Sequence, residues 1–347
     1  MRRLGITLAA TALGLAFAGS AQAGTLSRVD AITLRYEATP GEMNRVFVST
    51  DSQGVYVIDT GATVTPGAGC TAPAPNEGFC AATVKDQGSL RLQLAAGDQG
   101  DYVNVLPGTL GLVNIDGGAG GDELIAGGAI FSNVVDGGPG ADTFEGAVTV
   151  DYHTRTNPLL VTIGDDLAND GEAGEGDNVS SETVGMEGGQ GNDDMTVLDS
   201  PSVQQRTLLE GVDGADHLSI LRHSEPGSIF GGTGPDVIHN ESLHGLVHGA
   251  NGDDLIFGGD GSNQALWGEG GDDTLRGLGG ADYLFGNRGA DVLLPGPGRD
   301  TAAGGHGPDT IYARDGQRDS VSGGPGKTDR ARVDRGLDHV TYMEELF

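Results

Sequence analysis

The chain has 347 residues, 63 of them Gly, and sets 50 Asp plus Glu against 19 Lys plus Arg for a formal charge of -31. That charge excludes nucleic acid and anionic membrane surfaces as electrostatic partners. With aromatics at 5%, the chain also lacks the bulk of a conventional globular core, which leaves an acidic disordered chain or a solenoid. The first stretch, MRRLGITLAATALGLAFAGSAQAG, joins Arg2 and Arg3 to an apolar run from Leu4 to Ala18 and the small tripeptide Ala21-Gln22-Ala23. It reads as a secretory signal peptide over residues 1–23. The run is shorter than a spanning helix needs, so the mature chain is expected to begin at Gly24 and to have no membrane insertion.

Residues 24–95 are less glycine-rich. AITLRYEA, NRVFVSTD, GVYVIDTGA and GSLRLQLAAG alternate polar with apolar positions and predict short antiparallel strands in a small β domain. Cys70 and Cys80, the only cysteines, flank a Pro- and Gly-rich loop, and in an exported chain a disulfide stapling a hairpin is expected. Asp59-Thr60-Gly61 follows an apolar strand and resembles the catalytic loop of aspartic peptidases. Such enzymes need two aspartates sharing a proton, and no second Asp-Thr/Ser-Gly follows an apolar strand here, so a peptidase would have to be a homodimer. The simpler reading is a strand end followed by a turn.

From residue 96 to 329 the character changes. DGGAGGDELIAGG and DGGPGADTFEGA each join a Gly and Asp turn to a short apolar strand, and such units recur. Written as nine positions, with Gly at 1 or 2, Gly at 4, Asp at 6 and a large apolar residue at 8, units start at Gly249, Gly258, Gly268, Gly277, Gly286, Pro295 and Gly304. Trp267 stands as an extra residue. Upstream units start at Gly117, Gly137, Gly188, Gly211 and Gly231, about twenty residues apart, as if only every second turn kept the motif.

GGPGADTFE, GGTGPDVIH and GGHGPDTIY resemble the hemolysin-type calcium-binding repeat, the RTX nonapeptide G-G-x-G-x-D-x-U-x. The resemblance implies a parallel β-roll binding Ca²⁺ in a secreted bacterial protein. The stretch from Asp151 to Asp194 is also similar to a segment recurring among secreted proteins of this kind, and it marks an insertion near residues 151–185. Unlike type-I-secreted members, this chain has a leader. The segment 330–347 is expected to cap the open end.

Physical chemistry supports the same spacing. A six-residue turn and a three-residue strand make half a coil, so motifs of equal parity stack about 4.8 Å apart on one edge. Carboxylates repeated at that interval repel unless a cation lies among them, and an all-oxygen shell favours Ca²⁺. One inward side chain per nine residues is little apolar burial against the entropy of ordering them, so folding is expected to be coupled to the metal. Parity assigns Asp122, Asp142, Asp193, Asp216, Asp236, Asp254, Asp273, Asp291 and Asp309 to one calcium-rich edge, and Asn263, Asp282 and Asp300 to the other. Position 8 gives Phe144, Leu218, Ile238, Ile256, Leu275, Leu293 and Ile311 on the first side but Ala265, Leu284 and Ala302 on the second, predicting a thinner core there.

His239, His244 and His248 could form a transition-metal cluster or stand as solvated turn and strand residues. The acidic loop DDLANDGEAGEGDN, with Asp166, Asp170 and Asp177, reads equally as a calcium site or as a solvated insertion. No His-Glu-x-x-His motif, Gly-x-Ser-x-Gly elbow or phosphate loop is present. The sequence thus predicts an all-β, non-enzymatic, exported calcium-binding protein with an extracellular or cell-surface structural or adhesive role, its partner there unidentified. The competing class is an enzyme, either the dimeric aspartic peptidase or a polysaccharide-acting β-helix.

Overall fold

A computed structural model describes residues 23–347, apart from 52, 83–89, 108–110, 128–132, 147–148, 166, 199–206, 222–225, 262–263 and 327. The signal-peptide reading of residues 1–22 and the placement of Asn263 and Asp166 lie outside the described residues. Among those described there is no helix, and none is long and apolar enough to cross a membrane. The strands form a long sheet of 16 strands and two shorter sheets of 8 and 11. Successive coils pair in parallel, each alternating between the long sheet and a short one. The protein is a parallel β-solenoid with a small antiparallel region at its N-terminus.

That region carries the hairpins Ala23–Arg28 with Thr33–Glu37, Arg45–Thr50 with Gly54–Asp59, and Thr71–Ala74 with Glu77–Ala81. Two pairings depart from the all-antiparallel expectation for residues 24–95: Ala23–Arg28 runs parallel to Thr63–Pro66, and Arg91–Ala95, the first strand of the solenoid, runs parallel to Thr33–Glu37. The Cys70–Cys80 disulfide, with Cα atoms 4.4 Å apart, closes the last hairpin. Thr33–Glu37 and Arg45–Thr50 then pair in parallel with Arg91–Ala95 and Tyr102–Val105 of the first coil. The hairpins therefore cover what would otherwise be two open sheet edges.

Period-two alternation sends one or two side chains per strand inward. On the long sheet the inward column includes Val135, Val150, Met186, Leu209, Ile229, Val247, Leu266, Leu284, Ala302 and Val321, all buried. Opposite it stand Leu124 and Phe144, then Leu218, Ile238, Ile256, Leu275, Leu293 and Ile311. All share one hydrophobic cluster with Leu34, Val46 and Val57 of the hairpins. Leu266, paired with Leu284, points inward where Ala265 was expected, because the extra residue lies in the turn before Gln264 and not at Trp267. The long-sheet side is consequently thin only at Ala302.

The turns stack as closely as the strands. A Cβ at Gly234, Gly252, Gly271, Gly289 or Gly307 would collide with the carbonyl oxygen of the equivalent glycine one coil earlier, and each has φ between +117° and +149°. Only glycine satisfies both conditions.

Residues 152–177 form the insertion. It leaves the long sheet after Thr149–Asp151, starts the second short sheet with Leu159–Ile163, turns back through Gly171–Glu172, and rejoins the first short sheet at Asn178–Val179. The Asp170 carboxylate joins the two short sheets, Oδ1 accepting the Thr162 N–H at 2.6 Å and Oδ2 the Val179 N–H at 2.9 Å.

Candidate metal centres

The sixth residue of each repeat ends a turn and starts a strand, so its side chain faces the inside of the corner. There Oδ1 of each aspartate accepts the backbone N–H of the aspartate one coil earlier. On the first edge the Asp101 N–H meets Asp122 at 2.7 Å, Asp122 meets Asp142 at 2.8 Å, and Asp142 meets Asp177 at 2.9 Å. A second ladder runs Asp193, Asp216, Asp236, Asp254, Asp273, Asp291, Asp309 and Asp329 with N···O distances of 2.8–3.0 Å. The opposite edge runs Gln264, Asp282, Asp300, Asp319 and Asp338 at 2.8–3.2 Å.

These ladders collect every aspartate picked out by spacing, although the first edge is two ladders and not one. Asp193 begins the second and differs from the rest: its oxygens accept the N–H groups of Leu159 at 3.0 Å and Gly189 at 2.9 Å, so neither is vacant. Spacing missed Asp101, Asp319 and Asp329, whose turns depart from the consensus. Extending the parity by one coil from Asp300 and from Asp309 reaches the last two.

Oδ2 tells another story. In Asp101, Asp122, Asp142, Asp216, Asp236, Asp254, Asp273, Asp282, Asp291, Asp300, Asp309, Asp319 and Asp329 it is buried with no hydrogen-bond partner. A buried unpartnered carboxylate oxygen is costly. Burial accordingly raises Asp273 and Asp291 to about 7 and Asp142 to about 8, with neighbouring carboxylates such as Asp254 beside Asp273 adding to the shift. Either a proton or a cation has to answer that charge.

A hard cation fits. The vacant atoms are carboxylate oxygens, they recur once per coil, and they lie inside the turn over the first glycine of the motif, where a Cβ at Gly249, Gly268, Gly286 or Gly304 would strike them. Among the described residues no histidine or cysteine is grouped with these carboxylates, so the donor set suits Ca²⁺ and not Zn²⁺ or Cu²⁺.

Asp59, Asp170 and Asp177, also singled out by sequence, are fully committed. Asp59 is buried; its Oδ1 accepts the N–H groups of Arg45, Gly61 and Ala62 at 3.1, 2.8 and 3.3 Å, and Oδ2 accepts the Tyr36 hydroxyl at 2.7 Å. Burial and Asp59 hold that phenol well above its usual range. Asp177 has the same arrangement, with the Tyr152 hydroxyl on Oδ2 at 3.0 Å. Beside it Arg155, itself buried, donates to the Gly138 carbonyl and lies 3.5 Å from Glu175. Asp170 and Asp177 of the acidic loop therefore act as internal staples.

The histidines are separated. His239 stacks on Phe257 at 4.3 Å on the second short sheet, while His248, on the long sheet, stacks between Phe230 at 4.9 Å and Trp267 at 4.6 Å. His244 occupies the intervening turn at φ +58°. No three-histidine cluster forms.

Residues 246–265, 262–293 and 295–327 match the family model of the RTX calcium-binding nonapeptide repeat, in 4 copies. No curated protein matches the chain.

Proposed function

Because the solenoid carries RTX calcium-binding nonapeptide repeats, we propose that the chain is an exported, non-enzymatic β-roll that folds around Ca²⁺ outside the cell and serves there as a structural or adhesive element. Asp122, Asp142, Asp216, Asp236, Asp254, Asp273, Asp291 and Asp309 hold calcium on the first edge, and Asp282 and Asp300 on the other. Asp101, Asp319 and Asp329 join them, and Asp193 contributes through the ladder alone. The observation that carries this reading is the column of buried, unpartnered Oδ2 atoms.

Bound calcium supplies the positive charge that those oxygens lack. The chain's own residues do the rest: glycines let the turns stack, the Oδ1 ladder fixes each carboxylate, and inward aliphatic side chains keep water from the corners. Export supplies the switch, since extracellular modules bind calcium at roughly 10⁻⁴ to 10⁻³ M, far above cytosolic levels. The hairpins of residues 23–81 and the tail of residues 330–347 close the two ends. On the tail, the Glu344 carboxylate takes the last first-edge N–H, that of Asp329, at 2.9 Å.

The test is a calcium titration of residues 24–347 after chelation, followed by circular dichroism and calorimetry. Cooperative gain of β structure with several Ca²⁺ per chain is expected. Identical β content with and without chelator, together with no heat of binding, would sink the reading and reopen the enzyme class. N-terminal sequencing of exported protein is expected to begin at Gly24.

A further inference from the structure

The opposite-edge turn that leads to Asp319, the last but one of that edge, does not follow the repeat pattern. In the coil before it, Gly280 donates its N–H to the Pro297 carbonyl at 3.1 Å, so a backbone oxygen of the next coil lines the corner. One coil on, the turn ARDGQRD, residues 313–319, carries an extra residue and lacks the glycine pair. The equivalent donor, the Gly298 N–H, meets the Asp315 carboxylate Oδ2 at 2.9 Å instead of a carbonyl. The Asp315 Oδ1 is held by the Gln317 N–H at 2.7 Å. A charged side chain has thus taken the place that a neutral backbone oxygen holds one coil earlier.

Its neighbours are two ladder members with vacancies. Asp300 and Asp319 are each 2% exposed, each gives Oδ1 to the ladder, and each keeps a buried Oδ2 without a partner. One carboxylate oxygen from each of Asp300, Asp315 and Asp319 lies within 4.8 Å of the others, the one such three-carboxylate group among the described residues. Oxygens bound to a single calcium at about 2.4 Å lie no more than about 4.8 Å apart. Arg314, the residue before Asp315, is turned toward Asp334 at 3.9 Å.

We propose that Asp300, Asp315 and Asp319 together form one calcium site towards the end of the opposite edge, tighter than the other turn sites and filled before them. The inference rests on the calcium-binding reading above, and adds a ligand, Asp315, that the nonapeptide does not specify. The site gains affinity because a third carboxylate adds charge where a turn offers a carbonyl, and charge count is a main determinant of calcium affinity.

The experiment is a calcium titration by calorimetry and chelator competition on the full mature chain and on Asp315→Asn, which keeps an oxygen for the Gly298 N–H. The exposed Asp272→Asn serves as control. The wild type is expected to resolve one site tighter than the rest, and Asp315→Asn to weaken that one by at least about tenfold while leaving the others and the final β content unchanged. An isotherm for Asp315→Asn that superimposes on the wild type overturns the proposal. A wild type that binds no calcium refutes the broader reading instead. As a second measurement on the unaltered chain, hydrogen exchange at residues 298–320 is expected to slow at lower calcium than at residues 249–273. Simultaneous protection of both segments would also overturn it.

Discussion

The two first-edge ladders pose one electrostatic problem and end differently. The ladder from Asp101 to Asp142 lies between Asp59 and Asp177, each with a tyrosine hydroxyl on its second oxygen, and Arg155 enters the corner near Asp177. From Asp216 to Asp329 no rung has such a donor, and each Oδ2 is vacant. The same contrast shows on the outside of the long sheet, where one column reads Asp116, Asp136, Asp151, Glu187 and Glu210 before it turns to Phe230, His248, Trp267 and Phe285. Hydrogen-bond donors of the chain itself thus close both ends of the N-terminal ladder, leaving only the Oδ2 atoms of Asp101, Asp122 and Asp142 between them unpartnered. The C-terminal part depends on what it binds.

Chelation is therefore expected to act unevenly and to produce the largest effect. Each independent site held at a hundred times its dissociation constant contributes about 2.7 kcal/mol, and that stabilisation is lost when calcium is withdrawn. Hydrogen exchange after chelation at pH 7.5 should show residues 227–313 losing protection while residues 33–59 keep theirs. Equal loss in both segments would break the comparison.

Acid should substitute for calcium in the same coils. Unfolded aspartates release their protons near 3.9, whereas burial, reinforced by neighbouring carboxylates, holds Asp273 at about 7; burial holds Asp309 at about 6. Between those values the metal-free folded chain binds more protons than the unfolded one, so its stability is fullest below about pH 4 and falls as pH rises through about 7. Calcium competes for the same oxygens, and saturating calcium should flatten or reverse the trend. Urea midpoints at pH 4.5 and 7.5, with and without calcium, measure both. A metal-free midpoint that rises with pH would contradict the assignment of these shifts.

Tyr152→Phe tests the N-terminal ladder. It removes one hydroxyl, leaves the ring against Phe144, whose centroid is 6.3 Å away, and strands a buried oxygen of Asp177. The expected loss is about 1–3 kcal/mol. Added calcium should not restore the wild-type midpoint if the donor works as a fixed substitute for a cation. Recovery in calcium would show instead that the Asp177 corner can take an ion like its neighbours.

Much of this was legible as spacing, because a solenoid converts sequence period directly into stacking. Asp236, Asp254, Asp273, Asp291 and Asp309 could be assigned to one edge by counting. Counting failed wherever a turn changed length. One added residue before Gln264 moved the inward role from Ala265 to Leu266, and the insertion moved Asp193 to the head of a new ladder. Asp59, Asp170 and Asp177 were visible as acids, but their partners, Tyr36, Thr162, Val179 and Tyr152, come from segments that periodicity does not relate. Local composition likewise cannot show that Asp315 replaces a carbonyl, since the substitution is defined only against the coil beneath it.

The smallest effect concerns the second position of the turns, where Gly232 and Gly305 have φ of +114° while Val212 has +82° and Glu269 +79°. A β-branched residue in that region carries about 1–2 kcal/mol of strain. Replacing it by glycine removes the strain, and the added freedom of the unfolded chain offsets about 0.5–1 kcal/mol of the gain. Val212→Gly should therefore stabilise the calcium-loaded protein by about 1 kcal/mol or less. Glu269→Gly relieves the same strain but loses the contact of its carboxylate with His248 Nδ1 at 2.5 Å, so its gain should be smaller. Urea midpoints in saturating calcium would rank the two. A lower midpoint for Val212→Gly would mean that the valine side chain contributes more to the packing between coils than its backbone conformation costs.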